Sequence, residues 1–368
     1  MSISKQHIAC FLPSLFGGGA EKAAIKLFKG MSGLDISLDL VLAEATGPYL
    51  KQVPENVRIV NLEAGRVLNS ILPLARYLRQ NKPDILISHM EYVNVAAVLA
   101  KEVSGTKTKL FLVEQNNLSA SINSSKSISS GILLLLVKLL YPRADAVIGV
   151  SEGVVEDLKS VLSFKKHIPH VIYNPIVDSH IIEKAKSPIE HPWFKQKDIP
   201  VFVAVGRLSE QKDFPTLIKA FALLRKQRQA RLIILGEGAL RSELEAMIYE
   251  NCLTEDISLP GFVDNPYAYM YRASAFILSS RWEGLPTVII EAMACGCPVV
   301  STNCPSGPYE ILAGGKYGHL LPIGDPDALC NAMLNVIDIP TNPKILQERA
   351  EDFSVERSVS EYLALANK

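Results

Sequence analysis

The chain is short of the features that mark specialised proteins. Two of its 368 residues are tryptophan and six are cysteine, and Cys10, Cys252, Cys295, Cys297, Cys304 and Cys330 are scattered through mostly apolar stretches. That pattern excludes a small disulfide scaffold. Cys295 and Cys297, with Cys304 behind them, have no fourth ligand at zinc spacing, so they read as small structural side chains rather than a metal site. Net charge is absent too: 38 Lys and Arg balance 38 Asp and Glu. A dedicated nucleic-acid binder usually carries a basic excess, so no nucleic-acid partner is expected. Long apolar runs are missing. The most apolar one, residues 131–140, is broken by Lys138 and falls far short of the roughly 20 residues of a membrane span. Residues 1–7 show no apolar stretch with a cleavage site, which leads us to expect a cytoplasmic chain with free thiols. There is no Gly-Lys-Ser/Thr loop and no G-x-G-x-x-G, and no Asp-x-Asp stands directly behind a predicted strand.

What is present is a regular alternation. Short apolar runs at Ile8–Leu12, Ser37–Leu42, Val57–Leu62, Ile85–Ser88, Lys109–Val113, Ala146–Val150 and Pro169–Ile172 are separated by helix-period segments such as Ala20–Met31, Leu68–Gln80, Val93–Val103 and Glu152–Leu162. The habit repeats with strands at Val201–Val205, Arg231–Leu235, Ile257–Leu259, Ala275–Leu278 and Pro298–Ser301. Apolar strands with helical spacers imply parallel sheets covered on both faces. The class is therefore α/β, with two doubly wound, Rossmann-like domains. A proline-punctuated polar stretch near 175–198 is the expected connector. We expect a first domain over 1–180, a second over 194–350, and a detached helix at 354–366.

In open parallel sheets ligands bind beyond the carboxyl ends of the strands, so the residues after each strand carry the functional signal. After the first strand, Gly17, Gly18 and Gly19 open a helix that carries Glu21, which is either an anion-binding turn or merely a tight one. After Val201–Val205 come Gly206, Arg207 and Lys212. Two cations beside a permissive glycine suit a diphosphate better than a solvated loop. After Ala275–Leu278 come Glu283, the turn Gly284-Leu285-Pro286-Thr287, and Glu291 among apolar neighbours. A carboxylate in that setting needs partners, which sugar or ribose hydroxyls can supply.

Taken in order, Gly17-Gly-Gly-Ala-Glu21, Gly206-Arg207 with Lys212, Pro260-Gly-Phe262, and Glu283 followed by Glu291 closely resemble the family 4, group 1 glycosyltransferases. The resemblance covers nearly the whole chain and is strongest over 200–325. It implies the GT-B architecture: two Rossmann-like domains facing across a cleft, with the last helix crossing back to the first. It implies transfer of a sugar from a nucleotide donor with retention of configuration and without a metal. By position, Arg207 and Lys212 match the diphosphate-binding pair and, with Glu283, the catalytic group. Gly18, Gly19, Gly206, Gly284, Leu285, Pro286 and Thr287 match donor loops, Phe262 and Val263 the base contact, and Glu291 the ribose contact.

The expected donor is UDP-linked, with an N-acetylhexosamine suggested, and the acceptor a glycan or lipid-linked glycan. Glu21, His89, Glu114 and Asn116 are acceptor-side candidates. One departure stands out: many members carry a histidine just after the strand matching Lys109–Val113, where this chain reads Glu114-Gln115-Asn116-Asn117. An epimerase of the same architecture and an inactive sugar-nucleotide-binding protein are the competing readings. Finally, residues 127–141 have an apolar face flanked by Lys126, Lys138 and Arg143, and residues 1–190 carry 21 basic against 17 acidic side chains. That combination suits peripheral contact with anionic lipid as well as it suits a core helix.

Overall fold

The computed structural model describes residues 5–16, 18–119, 128–162, 169–196 and 198–367. The chain divides into two compact units, Met1–Pro175 with Val355–Lys368, and Ile176–Ser354. The first holds a sheet of seven strands: β1 (Gln6–Leu12), β2 (Ile36–Leu42), β3 (Val57–Asn61), β4 (Ile85–His89), β5 (Lys109–Glu114), β6 (Ala146–Gly149) and β7 (His170–Val171). Their order is β3-β2-β1-β4-β5-β6-β7, and every pairing is parallel. The second unit holds β8 (Val201–Val205), β9 (Arg231–Leu235), β10 (Ile257–Gly261), β11 (Ala275–Leu278), β12 (Val299–Thr302) and β13 (His319–Leu321), in the order β10-β9-β8-β11-β12-β13 and again all parallel.

Burial explains the strand runs. Cys10, Phe11 and Leu12 of β1, and Phe202, Val203 and Ala204 of β8, are fully covered, as central strands with helices on both faces must be. The helix Gly19–Met31 buries Ala20, Ala23, Ala24, Leu27, Phe28 and Met31 along one stripe. The last helix, Val355–Ala366, packs against it. A Cβ on Gly30 would lie 2.4 Å from Val355 Cγ1, so glycine is what lets the two helices approach this closely. Strands β1, β2 and β3 are cross-tied by Asp39 of β2, which accepts from His7 Nε2 at 2.8 Å, Arg58 Nε at 2.8 Å and the Tyr77 hydroxyl at 2.5 Å. Burial works against ionisation there, but the bonds from His7, Arg58 and Tyr77 outweigh it and hold the carboxyl well below its usual range.

The polar stretch expected as a connector is a built part of the second unit. The helix Ser179–Ala185 packs on the helix Tyr267–Arg272, and Asn265 Nδ2 and Arg272 Nη1 donate to the Lys184 and Ala185 carbonyls at 2.9 and 3.0 Å. Strand order reverses between β1 and β4 in one sheet and between β8 and β11 in the other. Those reversals are where the crossovers diverge and leave a crevice at the strand ends.

Candidate active site

In the second unit the loops that flank the reversal are the ones after β8 and β11, and they are stapled together. Arg281 N donates to the Gln211 carbonyl at 2.8 Å and Gln211 Nε2 to the Trp282 carbonyl at 3.0 Å. Ser279 Oγ donates to the Lys212 carbonyl at 2.7 Å, and Arg281 Nε lies 3.2 Å from Asp213 Oδ2. Asp213 takes φ +47° immediately before the helix Phe214–Arg225 and accepts from Thr216 Oγ1 at 2.9 Å. The result is a fixed seat for two side chains expected to act. Lys212 Nζ donates to Glu283 Oε1 at 2.6 Å, and Ser280 Oγ donates to the same oxygen at 2.6 Å. The Lys212 stem runs over Gly206, 3.0 Å from where a Cβ would stand. Arg207, one residue on, is exposed, and its guanidinium has no partner among the described residues.

Gly284, Leu285 and Pro286 are buried, and Thr287 opens the helix Thr287–Ala294. The loop after β12 presses on this turn. Gly307 takes φ +93°, and a Cβ there would sit 2.3 Å from Pro286 Cδ. Any other residue at 307 displaces the turn. Glu291, a full turn into the helix, is 4% exposed and accepts from the Tyr267 hydroxyl at 3.1 Å. It is therefore a buried carboxylate, not a surface one. Phe262, after β10, is 75% exposed, and Val263 packs partly against the β8–β9 core.

Buried Cys295 and Cys304 have thiols pushed up to about 12, chiefly by burial, with the Glu291 and Glu283 charges adding to it. The Cys295–Cys304 run is thus core, and the described residues contain no cluster of three His, Cys, Asp or Glu side chains placed to hold a metal ion. The single Asp-x-Asp, at 325–327, opens a helix: Asp325 Oδ1 accepts from Ala328 N at 2.9 Å.

In the first unit, Gly18 and Gly19 are exposed at the start of the helix after β1. The Glu21 carboxylate folds back toward Gly18, whose Cβ position it would overlap, while nothing lies within 4 Å of a Cβ on Gly19. An anion arriving at that helix end has to displace it. Gly17 lies outside the described residues. His89 and Glu114 end β4 and β5, and both are 1% exposed. Glu114 accepts from the Tyr141 hydroxyl and, at 2.9 Å, from Asn94 Nδ2, whose Oδ1 in turn accepts from Ser88 Oγ at 2.7 Å. As it stands, Glu114 is turned into the fold and held there, while Asn116 is exposed.

The structure thus brings Lys212 and Glu283 into contact, with Gly206 beneath the lysine. It does not bring Glu114 and Asn116 into one cluster. Ser280, Gln211, Asp213, Arg281 and Tyr267 went unnoticed in the sequence as supports of the site. The first four lie within a few residues of Lys212 and Glu283 in the loops after β8 and β11, whereas Tyr267 lies 24 residues from Glu291 with no local signal.

The family model of the glycosyl transferases group 1 matches residues 186–353, and that of glycosyltransferase family 4 matches residues 17–180. The chain is 30% identical over 361 residues to a Campylobacter jejuni protein, the N-acetylgalactosamine-N,N'-diacetylbacillosaminyl-diphospho-undecaprenol 4-alpha-N-acetylgalactosaminyltransferase, with 94% of each chain covered. It is 26% identical over 376 residues to a second protein of that organism, covering 97% of each: the alpha-1,4-N-acetyl-D-galactosaminyltransferase acting on GalNAc-alpha-(1->4)-GalNAc-alpha-(1->3)-diNAcBac-PP-undecaprenol. Among solved structures, Anabaena HepE in complex with UDP and glucose superposes with a TM-score of 0.78 at 22% identity, covering 98% of this chain and 99% of that one. That likeness is one of fold, and it agrees with the two Rossmann-like domains expected from the sequence.

Proposed function

The chain belongs to the family 4, group 1 glycosyltransferases, and from that premise we propose that it moves an N-acetylhexosamine from a UDP-linked donor to a lipid-linked glycan with retention of configuration. The observation that carries the reading is the Lys212–Glu283 contact at the reversal of the second sheet, with Arg207 beside it. Cations at that point suit a leaving diphosphate, and a carboxylate seated against one of them suits the sugar it releases. The Campylobacter relatives, both named for transfer of N-acetylgalactosamine to undecaprenol-linked glycans, support the sugar and acceptor class. HepE, solved with UDP, supports the nucleotide.

On this reading the acceptor hydroxyl oxygen bonds the anomeric carbon as the bond to the β-phosphate oxygen breaks. The acceptor's proton passes to the leaving phosphate on the same face. Arg207, Lys212 and the first N–H groups of the helix Thr287–Ala294 stabilise the departing charge, and Glu283 orients the sugar. Glu291 takes the ribose, with Phe262 and Val263 at the base.

The test is direct. The purified chain is incubated with UDP-GalNAc, UDP-GlcNAc, UDP-glucose or UDP-galactose and a short-chain polyprenyl-diphosphate N-acetylhexosamine. An α-linked product by proton NMR supports the reading. A β-linked product sinks retention, and an epimerised nucleotide sugar formed without acceptor makes the chain an isomerase. Because Arg207, Lys212 and a helix start are proposed to neutralise the diphosphate, transfer is expected to survive excess EDTA. Loss restored by magnesium or manganese contradicts that.

On this reading the enzyme works at the cytoplasmic face of a membrane, where a nucleotide donor and a lipid-linked acceptor meet. No helix among the described residues is long and apolar enough to cross one. The helix Ile128–Leu140 instead leaves Ile132, Leu135 and Leu139 between 56% and 57% exposed, beside exposed Lys138 and Arg143. Lys126 lies outside the described residues. Apolar side chains with a cationic border suit peripheral docking on anionic lipid. The chain is expected to float with phosphatidylglycerol vesicles at low salt, and an Ile132→Ser, Leu135→Ser, Leu139→Ser variant to remain in the soluble fraction. Equal flotation of the two ends the docking idea.

A further inference from the structure

We infer that His89 is a ligand-contacting residue of the first unit, its Nε2–H presented to a hydroxyl oxygen of the acceptor sugar, with Gln115 and Asn174 as positioning residues. The inference deepens the proposed transfer reading and depends on it for the identity of the ligand.

The His89 ring is unequally bonded. His89 is 1% exposed, yet only one of its nitrogens is bonded: Nδ1 lies 3.0 Å from Gln115 Nε2, and Nε2 has no hydrogen-bond partner among the described residues. A histidine kept only for packing normally satisfies both nitrogens, because a buried polar atom left unpaired costs free energy. The state of the ring follows from its neighbour. An amide NH₂ can only donate, so Nδ1 accepts and the ring proton sits on Nε2. With Nε2 on the ring, Gln115 is also paired with Asn174. Its Oε1 accepts from Asn174 Nδ2 at 2.8 Å, and its Nε2 also faces Asn174 Oδ1 at 3.4 Å. Asn174 is itself 6% exposed and Gln115 is half-buried. Burial drops the imidazole pKa to about 4, which keeps the ring neutral and makes Nε2–H an uncharged donor. An uncharged donor suits a hydroxyl oxygen better than a phosphate, which the cations of the second unit already serve.

Position supports the same conclusion. His89 is the last residue of β4, one of the two strands at the reversal of the first sheet. Met90, immediately after it, takes φ +75°, a strained conformation for a side chain of that kind and one that accumulates at functional sites. Gln115 follows β5, the neighbouring strand, and Asn174 follows β7. Three strand ends of one sheet are thus spent on orienting a single ring.

The decisive measurement is nitrogen NMR of the full-length chain at pH 7 with [15N]histidine, the His89→Gln variant identifying the resonance. A pyrrole-type Nε2 and a pyridine-type Nδ1 are expected in the free protein, and the Nε2 signal is expected to shift on addition of the short-chain polyprenyl-diphosphate N-acetylhexosamine. Gln115→Glu, of the same size, is expected to draw the proton to Nδ1. It should also raise the acceptor KM roughly tenfold or more while the donor KM stays within about twofold. Circular dichroism controls for folding. A ring protonated on Nδ1 in the parent chain overturns the inference. So does an Nε2 signal indifferent to the acceptor probe, which would mean water fills the place. So does a rise in donor KM alone. A parent chain that transfers no sugar defeats the transfer reading, and the tautomer and probe shift still decide the role of the ring.

Discussion

Glu283→Ala is expected to cut sugar transfer by roughly 10²–10³ while leaving UDP affinity near that of the parent or raising it. The direction of the second effect comes from the structure. Glu283 Oε1 holds Lys212 Nζ at 2.6 Å, and the two side chains are largely shielded, so the lysine's charge is already partly committed. Removing the carboxylate frees that charge for a diphosphate. Lys212→Ala is expected to fall in both turnover and UDP affinity, and it leaves Glu283 buried with Ser280 but without a cation. Arg207→Ala removes an unpartnered cation, so its cost is borne by ligand alone, with no rearrangement of the free protein.

Glu291→Ala behaves in the opposite sense to Glu283→Ala: nucleotide binding itself weakens, because a buried carboxylate proposed to meet the ribose is lost and the hydroxyls it served go unpaired. Glu291 also receives the Tyr267 hydroxyl, so Tyr267→Phe is the control that separates a lost ribose contact from a loosened helix. Calorimetry of UDP against the five variants reads all of this. If Glu283→Ala and Glu291→Ala lose UDP affinity equally, the roles of the two glutamates have been assigned wrongly.

Much of this frame was legible in the chain because the strands are short, apolar and regularly spaced. Val201–Val205, Arg231–Leu235 and Ala275–Leu278 occupy the residues expected of them. Buried parallel strands leave little room for polar residues, so their borders are sharp. β13 was missed for the converse reason. It has three residues, all half-buried, and edge strands of that kind carry no apolar run to detect. The helix Ser179–Ala185 hid in a stretch that reads as a linker, because Pro175, Pro188 and Pro192 bracket it. The helix Pro343–Ala350 buries only Leu346 and Ala350, too few to show a helical stripe.

The site divides along the same line. Arg207, Lys212, Glu283 and Glu291 are visible because charged residues directly after apolar strands stand out. What holds them is not, since Ser280 donates its hydroxyl to Glu283, Gln211 reaches a backbone carbonyl and Asp213 accepts from Thr216, bonds that any polar loop could supply. In the first unit the sequence shows His89 and Glu114 but not that both are buried. Their environment depends on Asn94, Tyr141 and Asn174, which come from three separate elements.

Glu114 supplies the remaining large effect, and it is one of stability against pH. Burial first, and the nearby Glu91 charge second, push its carboxyl up to about 8, while the bonds from Tyr141 and Asn94 only partly oppose them. In the unfolded chain the same group titrates near 4.5. Below that pH both states are protonated and the native contacts of the acid are fully present. Above it, the unfolded chain ionises while the folded one stays neutral, so each further pH unit shifts the folding equilibrium by about a factor of ten toward the unfolded state, until the folded pKa is passed. Glu114→Gln keeps the shape and an oxygen for the Tyr141 hydroxyl and Asn94, but cannot ionise. The variant is therefore expected to match the parent in urea midpoint near pH 4.5 and to exceed it increasingly toward pH 8, by on the order of 10²–10³ in the folding constant. Urea titrations of both proteins at half-unit pH steps measure the gap directly. A difference that is constant across that window means the carboxylate is already ionised in the fold, and a gap that widens toward acid means that Tyr141 and Asn94 stabilise the charged form more than burial opposes it.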